Sequence, residues 1–479
     1  MEISWEAVVA RRMRRHFLTE PAATPVQAVR AMCGAHAQIA AAGEVSVALR
    51  VAGATRATVQ QQVMGATTGG QQVDGATGGQ PVGATTGGQQ VGATTGGQPA
   101  RGATGGQPVG GATGGRQVGA TTGGLQAGGV SVVQEAGAGA GGPQVDGALG
   151  GQQVGAGATG LQVGAGVGGV GVGLVKTFGA RGTVHLLPVE DLGMWTGALG
   201  ALPSVSQPQG AIRMSADEIA QVVVAIGEAL AEDDLTVDEL SAEVIRRTGP
   251  WAHEPTFPAF QGEWSRWRQA ISVAAHAGVL CHGPMRGRLT TYSNPHRRQP
   301  FEPMPADKAL TELLHRYLYA YGPATPQQFA RWLKVPATAV KPYFADLPYR
   351  RLADQTVWYA PGDGDFSDER AEGVRLLPYF DAYGVGSYPR ELLFPGKAFA
   401  RATARGQAGN YPLLLVDGVV AGVWHQKKAG RTLQFTVEAL SPLNKRRRGL
   451  LEQEVDRLGE VLGGTPSLTL GEVTVGAHA

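Results

Sequence analysis

Residues 174–188 read Leu-Val-Lys-Thr-Phe-Gly-Ala-Arg-Gly-Thr-Val-His-Leu-Leu-Pro. Two runs of aliphatic, β-branched and aromatic residues, 176–178 and 183–187, flank Gly179 and Gly182, the pattern of two strands joined by a turn. Pro188 and Glu190 then open a helix through Trp195. Toward the N-terminus, residues 4–18 carry a helical stripe of Trp5, Val8, Val9, Met13 and Phe17, with Arg11, Arg12, Arg14 and Arg15 opposite as a solvated face. Thr24-Pro25 is a capping residue followed by a first-turn proline, and the apolar pattern behind it predicts a helix over 26–42. Gly43 interrupts, 45–51 reads as another short helix, and Thr55 begins a third that runs to about Gln62. Short helices therefore precede a hairpin, but a long tract separates them.

That tract, residues 64–171, holds 39 of the chain's 73 glycines and lacks Phe, Trp, Tyr, Lys and His. Gln-Gln-Val and Gly-Ala-Thr-Thr-Gly-Gly recur through it every eight to ten residues. A solenoid needs bulky residues in fixed register, whereas one valine per repeat drifts in spacing. Calcium-binding repeats need a regular Asp, and only Asp74 and Asp146 occur. Apolar surface is too scarce to offset the ordering entropy of glycine, which predicts disordered coil, with a thin β-solenoid as the alternative.

The remaining 371 residues of the 479 have ordinary globular composition. Two cysteines, Cys33 and Cys281, exclude a disulfide framework or a multi-cysteine zinc site. The N-terminus lacks a signal peptide's apolar core, and the uncharged stretch 147–175 is 12 residues glycine, a poor membrane span. A cytoplasmic, nucleoid-associated monomer without cofactor is expected. The net charge of +2 is too small to imply nucleic acid by itself.

Downstream, the helices-then-hairpin order recurs. Ser215 starts a helix to about Glu232, Thr236 and Glu239 form a capping box for a helix ending near Gly249, and 263–278 reads as a third. Runs at 279–280 and 289–292 flank a turn with Arg286 and Arg288. Helices over 307–321, 326–333 and 337–345 precede a hairpin of 350–352 and 356–359. Beyond Val374 come short β runs, an Asp417-Gly418 hairpin turn, and a closing helix at 446–462. The fold class expected is α+β, mainly helical: three tandem winged helices (1–63 with 172–210, 211–300, 301–373), the inserted tract 64–171, and a β-rich region, 374–479.

Leu-Arg-Val at 49–51, Leu-Val-Lys-Thr-Phe at 174–178, Arg-Gly-Thr-Val-His-Leu-Leu-Pro at 181–188, Leu-Leu-Pro-Tyr-Phe-Asp-Ala-Tyr at 376–383 and Val-Asp-Gly-Val-Val-Ala-Gly-Val-Trp at 416–424 stand in order. Together they resemble the AlkZ/YcaQ family of winged-helix DNA glycosylases, over both flanks and not the tract. The resemblance implies a monofunctional enzyme that hydrolyses the N-glycosidic bond of bulky N7-alkylated guanines and crosslinks, in repair or self-resistance. The alternative is a DNA-binding protein or regulator without catalysis. The family signature, Gln–apolar–Gln or Gln–apolar–Asp, falls on His36-Ala37-Gln38, with His36 departing from it.

An N7-alkylated guanine is cationic and leaves as a neutral base, so no general acid is needed. What remains is to position water at the anomeric carbon. An amide can hold that water, and an imidazole can hold it or take its proton. Residues at i and i+2 diverge on a helix, so convergence of His36 and Gln38 requires the predicted helix to break near Gly34. Cys33 and His36 have a metal-like spacing but no second pair. The DNA-contact candidates are Arg181, His185, Arg286, Arg288, Lys445, Arg446 and Arg447, on double-stranded DNA carrying alkylated guanine. The Lys445 cluster stands at a helix start, where positive charge opposes the helix dipole and so suits an anionic partner. Asp381 reads as a cap or one half of a buried ion pair.

Overall fold

A computed structural model describes residues 2–64, 173–203, 212–258, 263–367 and 370–477. The coil expected over the tract falls on residues outside this set, apart from Met64. The described chain is mixed α+β.

Helix α1 (Trp5–Arg15) begins at Ser4, whose hydroxyl accepts from the Ala7 N–H at 3.1 Å, a cap that contributes about 1 kcal/mol. Its arginines correct the expectation of a solvated face: Arg11 and Arg12 are buried. Arg12 gives Nη1 to the Tyr388 carbonyl at 2.7 Å and its other donors to Gly322 and Pro323, and Arg15 pairs with Asp363. Loop carbonyls packed over both faces of α1 would otherwise be unsatisfied, and a guanidinium supplies enough donors for several of them.

Helix α2 (Pro25–Ala31) has the Thr24 cap and first-turn Pro25 read from the sequence. It ends eleven residues earlier than the pattern over 26–42 predicts. Cys33 (φ 53°) and Gly34 (φ 91°) turn the chain through left-handed backbone, and strand β1 (Ala35–His36) follows. Helix α3 (Ala40–Ala48) includes Gly43, which is no interruption: a Cβ there would lie 2.6 Å from the His36 carbonyl oxygen, so glycine lets the helix lie directly on the strand. Helix α4 (Arg56–Met64) reaches the tract, and β2 (Leu174–Phe178) and β3 (Val184–Pro188) resume after it. Arg298 bonds the carbonyls of both Val63 and Leu174, so the two ends of the tract are neighbours. The sheet order β1-β3-β2 joins the flanks, with His36 opposite His185.

Next come α5 (Leu192–Gly200), α6 (Ala216–Ala229), β4 (Leu235–Thr236) and α7 (Val237–Thr248), the last two helices each with a complete capping box. The helix expected over 263–278 is shorter. β5 (Pro255–Pro258) pairs with β6 (Glu263–Ser265), a 3-10 turn covers Arg266–Ala270, and only α8 (Ile271–His276) is α-helical. The turn lets Trp267 enter the core and bond its indole N–H to Ser241 at 3.1 Å. β7 (Cys281–His282) and β8 (Thr291–Ser293) complete a sheet ordered β4-β8-β7. Helices α9 (Ala306–Tyr321) and α10 (Pro326–Leu333) precede two 3-10 turns where a helix over 337–345 was expected; Pro342 lacks the N–H that would continue it. The hairpin β9 (Tyr349–Leu352) and β10 (Gln355–Trp358) closes this region.

The C-terminal part runs β11 (Val374–Leu377), α11 (Ala382–Gly386), α12 (Arg390–Leu393), α13 (Lys397–Ala402), β12 (Leu413–Val416), β13 (Val419–Ala429), β14 (Thr432–Ala439), α14 (Lys445–Leu462) and β15 (Thr465–Leu470). Its five strands form one sheet in chain order, with β15 parallel to β14 across the α14 crossover. Asp417 and Gly418 both have positive φ, the two-residue turn that Asp-Gly favours. This sheet does not pack alone. Val45, Val47 and Val59 share a core with Trp424, Phe435 and Leu451, and Arg457 bonds the carbonyls of Ala48, Val51 and Ala54. Arg50 and Asp381, both fully buried, pair bidentately at 2.9 and 2.8 Å. Asp381 also accepts from Ser46 and caps α11 through the Tyr383 N–H, so it fills both expected roles. Among the described residues no helix is long and apolar enough to cross a membrane.

Candidate active site

The break at Gly34 decides the site's geometry. In extended backbone alternate side chains face opposite sides; Ala35 and Ala37 enter the core, which leaves His36 on the other face and Gln38 exposed at the end of the segment. β1 is the edge strand of its sheet, and α3 lies against it at the His36 carbonyl. His36 is buried, 6% exposed.

Two groups hold that ring. His185, directly across on β3, lies with its ring centroid 4.3 Å away. Arg181, in the β2–β3 turn, places Nη2 3.2 Å from His36 Nε2. Arg181 has φ 62°, a left-handed conformation that costs a non-glycine residue about 1–2 kcal/mol. Burial, then the charges of His185 and Arg181, hold the His36 pKa well below the ordinary histidine range. Burial takes His185 to about 3, against the opposing effect of its bond to the Thr183 carbonyl at 2.7 Å. Both imidazoles are therefore neutral near pH 7.

Beyond Arg181 lies a cleft of about 510 Å³ bordered by Gln328, Arg331, Thr356, Tyr388, Arg390 and Glu391. Gln328 and Arg331 belong to α10, which packs on the turn that carries Arg181, and this sets the cleft beside it. Arg390 stacks over Tyr388 at 4.2 Å and bonds the Ser387 carbonyl at 2.9 Å. Sequence reading missed this pair; the only signal was that the block at 376–383 runs on into Tyr388-Pro389-Arg390. It also missed the inward aim of Arg181, which the glycines on either side of the turn could have suggested.

The other candidates are spread out. His185 is 1% exposed, so it is placed to support His36 and not to reach a duplex. Arg286 is exposed but bonded to both Glu239 oxygens at 2.7 and 2.9 Å and to the Asp234 carbonyl at 2.6 Å. Arg288, two residues on, is exposed and has no partner among the described residues. At the start of α14, Lys445 is exposed, Arg446 pairs loosely with Glu372 at 2.8 Å, and Arg447 pairs with Asp417. Cys33 lies in the core away from any ligand set, and no group of three or more potential metal ligands occurs among the described residues.

The profile described as DNA glycosylase AlkZ-like matches residues 172–461, more than half of the chain. The chain belongs to this family. An interstrand DNA cross-link repair glycosylase of Streptomyces sahachiroi is 29% identical over 275 residues, covering 53% of this chain and 70% of the relative. The solved structure of Streptomyces sahachiroi DNA glycosylase AlkZ aligns with a TM-score of 0.64 at 20% identity, over 98% of this chain and 100% of that one. At that identity the likeness shows a shared AlkZ fold. His36 and Gln38 precede the matched segment, so their roles rest on the geometry above.

Proposed function

We propose that the chain is a monofunctional DNA glycosylase that hydrolyses the N-glycosidic bond of bulky N7-alkylated guanine in duplex DNA, with His36 and Gln38 handling the attacking water. The observation that carries this reading is the helix break at Cys33-Gly34. It takes His36 off the helix and onto β1, with Gln38 at the bend that follows, so the divergence a helix would impose on an i, i+2 pair is removed. The family assignment supports the reaction class, and the cross-link named for the Streptomyces sahachiroi relative supports a bulky lesion. Three winged-helix units, the first split by the tract, would carry the duplex, with Arg286, Arg288 and the Lys445–Arg447 cluster on its phosphates.

Only groups that act more strongly in the transition state accelerate the reaction. The imidazole, held by Arg181, and the Gln38 carboxamide would supply hydrogen bonds to water as the sugar becomes positive, while the cationic base departs without a proton donor. The second reading is a DNA-binding protein without catalysis; the burial of His36 and the occupation of its Nε2 by Arg181 favour it. Incubating the protein with a panel of alkylated duplexes, then cleaving abasic sites with alkali, separates the two. Strand cleavage above the protein-free background supports the enzyme; tight binding with no excess cleavage on any lesion supports the binder.

A further inference from the structure

Two partners of fixed hydrogen-bonding role surround the imidazole pair. A guanidinium can only donate, so the 3.2 Å contact from Arg181 Nη2 uses the lone pair of His36 Nε2. A carbonyl can only accept, so the 2.7 Å contact to Thr183 requires a proton on His185 Nδ1. The same carbonyl also accepts from the Gly179 N–H at 2.9 Å, which ties the turn that carries Arg181 to the ring beneath His36. His36 cannot then be cationic without losing the Arg181 contact, and with both rings neutral neither carries a proton on Nε2.

We infer that Arg181 is a positioning residue that fixes His36 in the neutral tautomer with its proton on Nδ1, so that His36 serves as an N–H donor and not as a general base. The inference deepens the glycosylase reading and rests on it for the catalytic consequence. A ring whose Nε2 lone pair is taken and whose Nδ1 is protonated has no site to accept a proton from water. The acceptor role falls to the Gln38 carboxamide oxygen, leaving His36 to hold the water's oxygen by donation. This differs from a phosphate-binding role for Arg181, because the guanidinium is turned inward onto His36, where burial lowers its pKa. The charged and titratable groups facing His36 are Arg181 from the turn and His185 from β3. Helix α3 meets the strand through Gly43, and its Glu44 is held by Arg56 at 2.7 Å.

The test is a nitrogen NMR spectrum of protein labelled with 15N only at its 10 histidines, with His36 assigned by its loss in His36→Gln. The expected spectrum shows His36 Nε2 at the shift of an unprotonated ring nitrogen and Nδ1 protonated, unchanged from about pH 5.5 to 7.5, around the free histidine pKa. In Arg181→Met, His36 should gain a proton on Nε2, by tautomer exchange or by titrating within that window. Protonated Nε2 in the wild type, or an Arg181→Met spectrum identical to it, overturns the inference. Should Arg181→Met fail to fold, the wild-type spectrum alone decides. The spectrum needs no DNA, so failure of the glycosylase reading in an excision assay is a separate result.

Discussion

Two hairpins in this chain carry Arg-Gly at their tips, and they do opposite things. In the β2–β3 turn, Arg181-Gly182 folds back so that the guanidinium meets His36. Between β7 and β8, Arg286-Gly287-Arg288 projects into solvent, with Arg286 tied to Glu239 and Arg288 exposed. Composition is nearly the same at both tips. What differs is the neighbourhood: the first turn is packed against α10, while the second has no Cβ neighbour within 4 Å at Gly287. An arginine in a turn is thus a site residue or a surface charge according to what lies across from it.

A third arginine gives the scale for a purely structural role. Arg50→Met strands the Asp381 carboxylate in the core, and breaking a buried pair costs about 3–5 kcal/mol. A urea melt should show that loss. Burial alone would raise the Asp381 pKa, but Arg50 and the bonds from Ser46 and Tyr383 outweigh it and lower it. Because the folded pKa is depressed, this stabilisation is present above the unfolded carboxylate range, near pH 4, and fades as pH falls through the folded pKa. The difference in stability between wild type and Arg50→Met should therefore shrink on acidification below about pH 4; a difference constant down to pH 2 would remove the ion-pair account.

Next in size are the residues that the inward hairpin serves. His36→Ala and Gln38→Ala should each slow single-turnover excision by about 10²-fold, the scale of a misplaced reactant, with duplex binding nearly unchanged. Rates equal to wild type in both variants would dissociate the first hairpin from catalysis. His36→Gln, which installs the common family residue, is the informative control: faster excision marks the histidine as a compromise, and slower excision gives imidazole a role of its own.

A smaller effect is expected from the tract that splits the first hairpin from its strand partner. Its ends are bridged by Arg298, and shortening a loop from about 108 to 6 residues recovers at most ~2.6 kcal/mol of closure entropy. Replacing residues 65–171 with a short linker should raise the melting temperature by a few degrees and leave excision intact. Unfolding, or a folded protein without excision, would show that the tract packs or acts.

The sequence made most of the framework legible because local signals are strong where caps and turns are. Thr24-Pro25, Ser215, Thr236 with Glu239, and Asp417-Gly418 all do in the structure what their patterns implied. Residues 26–42 failed for the opposite reason: alanines and valines fit a helix locally, while β3 and the left-handed turn at Cys33-Gly34 select a strand through tertiary pairing. Of the α1 arginines Arg14 is exposed as read, whereas Arg11 and Arg12 are buried, because polarity on one helix face does not reveal which loops will later cover it. At the candidate site, the family pattern singled out His36 and Gln38, whereas the Arg181 contact needs two segments 145 residues apart in the chain to be brought together.

The smallest change expected concerns Arg286, whose charge is already shared with Glu239; Arg286→Ala should flatten the salt dependence of duplex binding by less than the one unit possible for a free phosphate contact. The most direct test of the two-hairpin account sets Arg181→Met against Arg288→Ala, each measured for single-turnover excision on an alkylated duplex and for the salt slope of binding. The account predicts a crossover. Arg181→Met should lose rate, about tenfold, with the slope unchanged, and Arg288→Ala should keep the rate under saturating protein while the slope falls by up to about one unit. If Arg181→Met instead flattens the slope at an unchanged rate, both hairpins bind phosphate and the distinction between them is wrong.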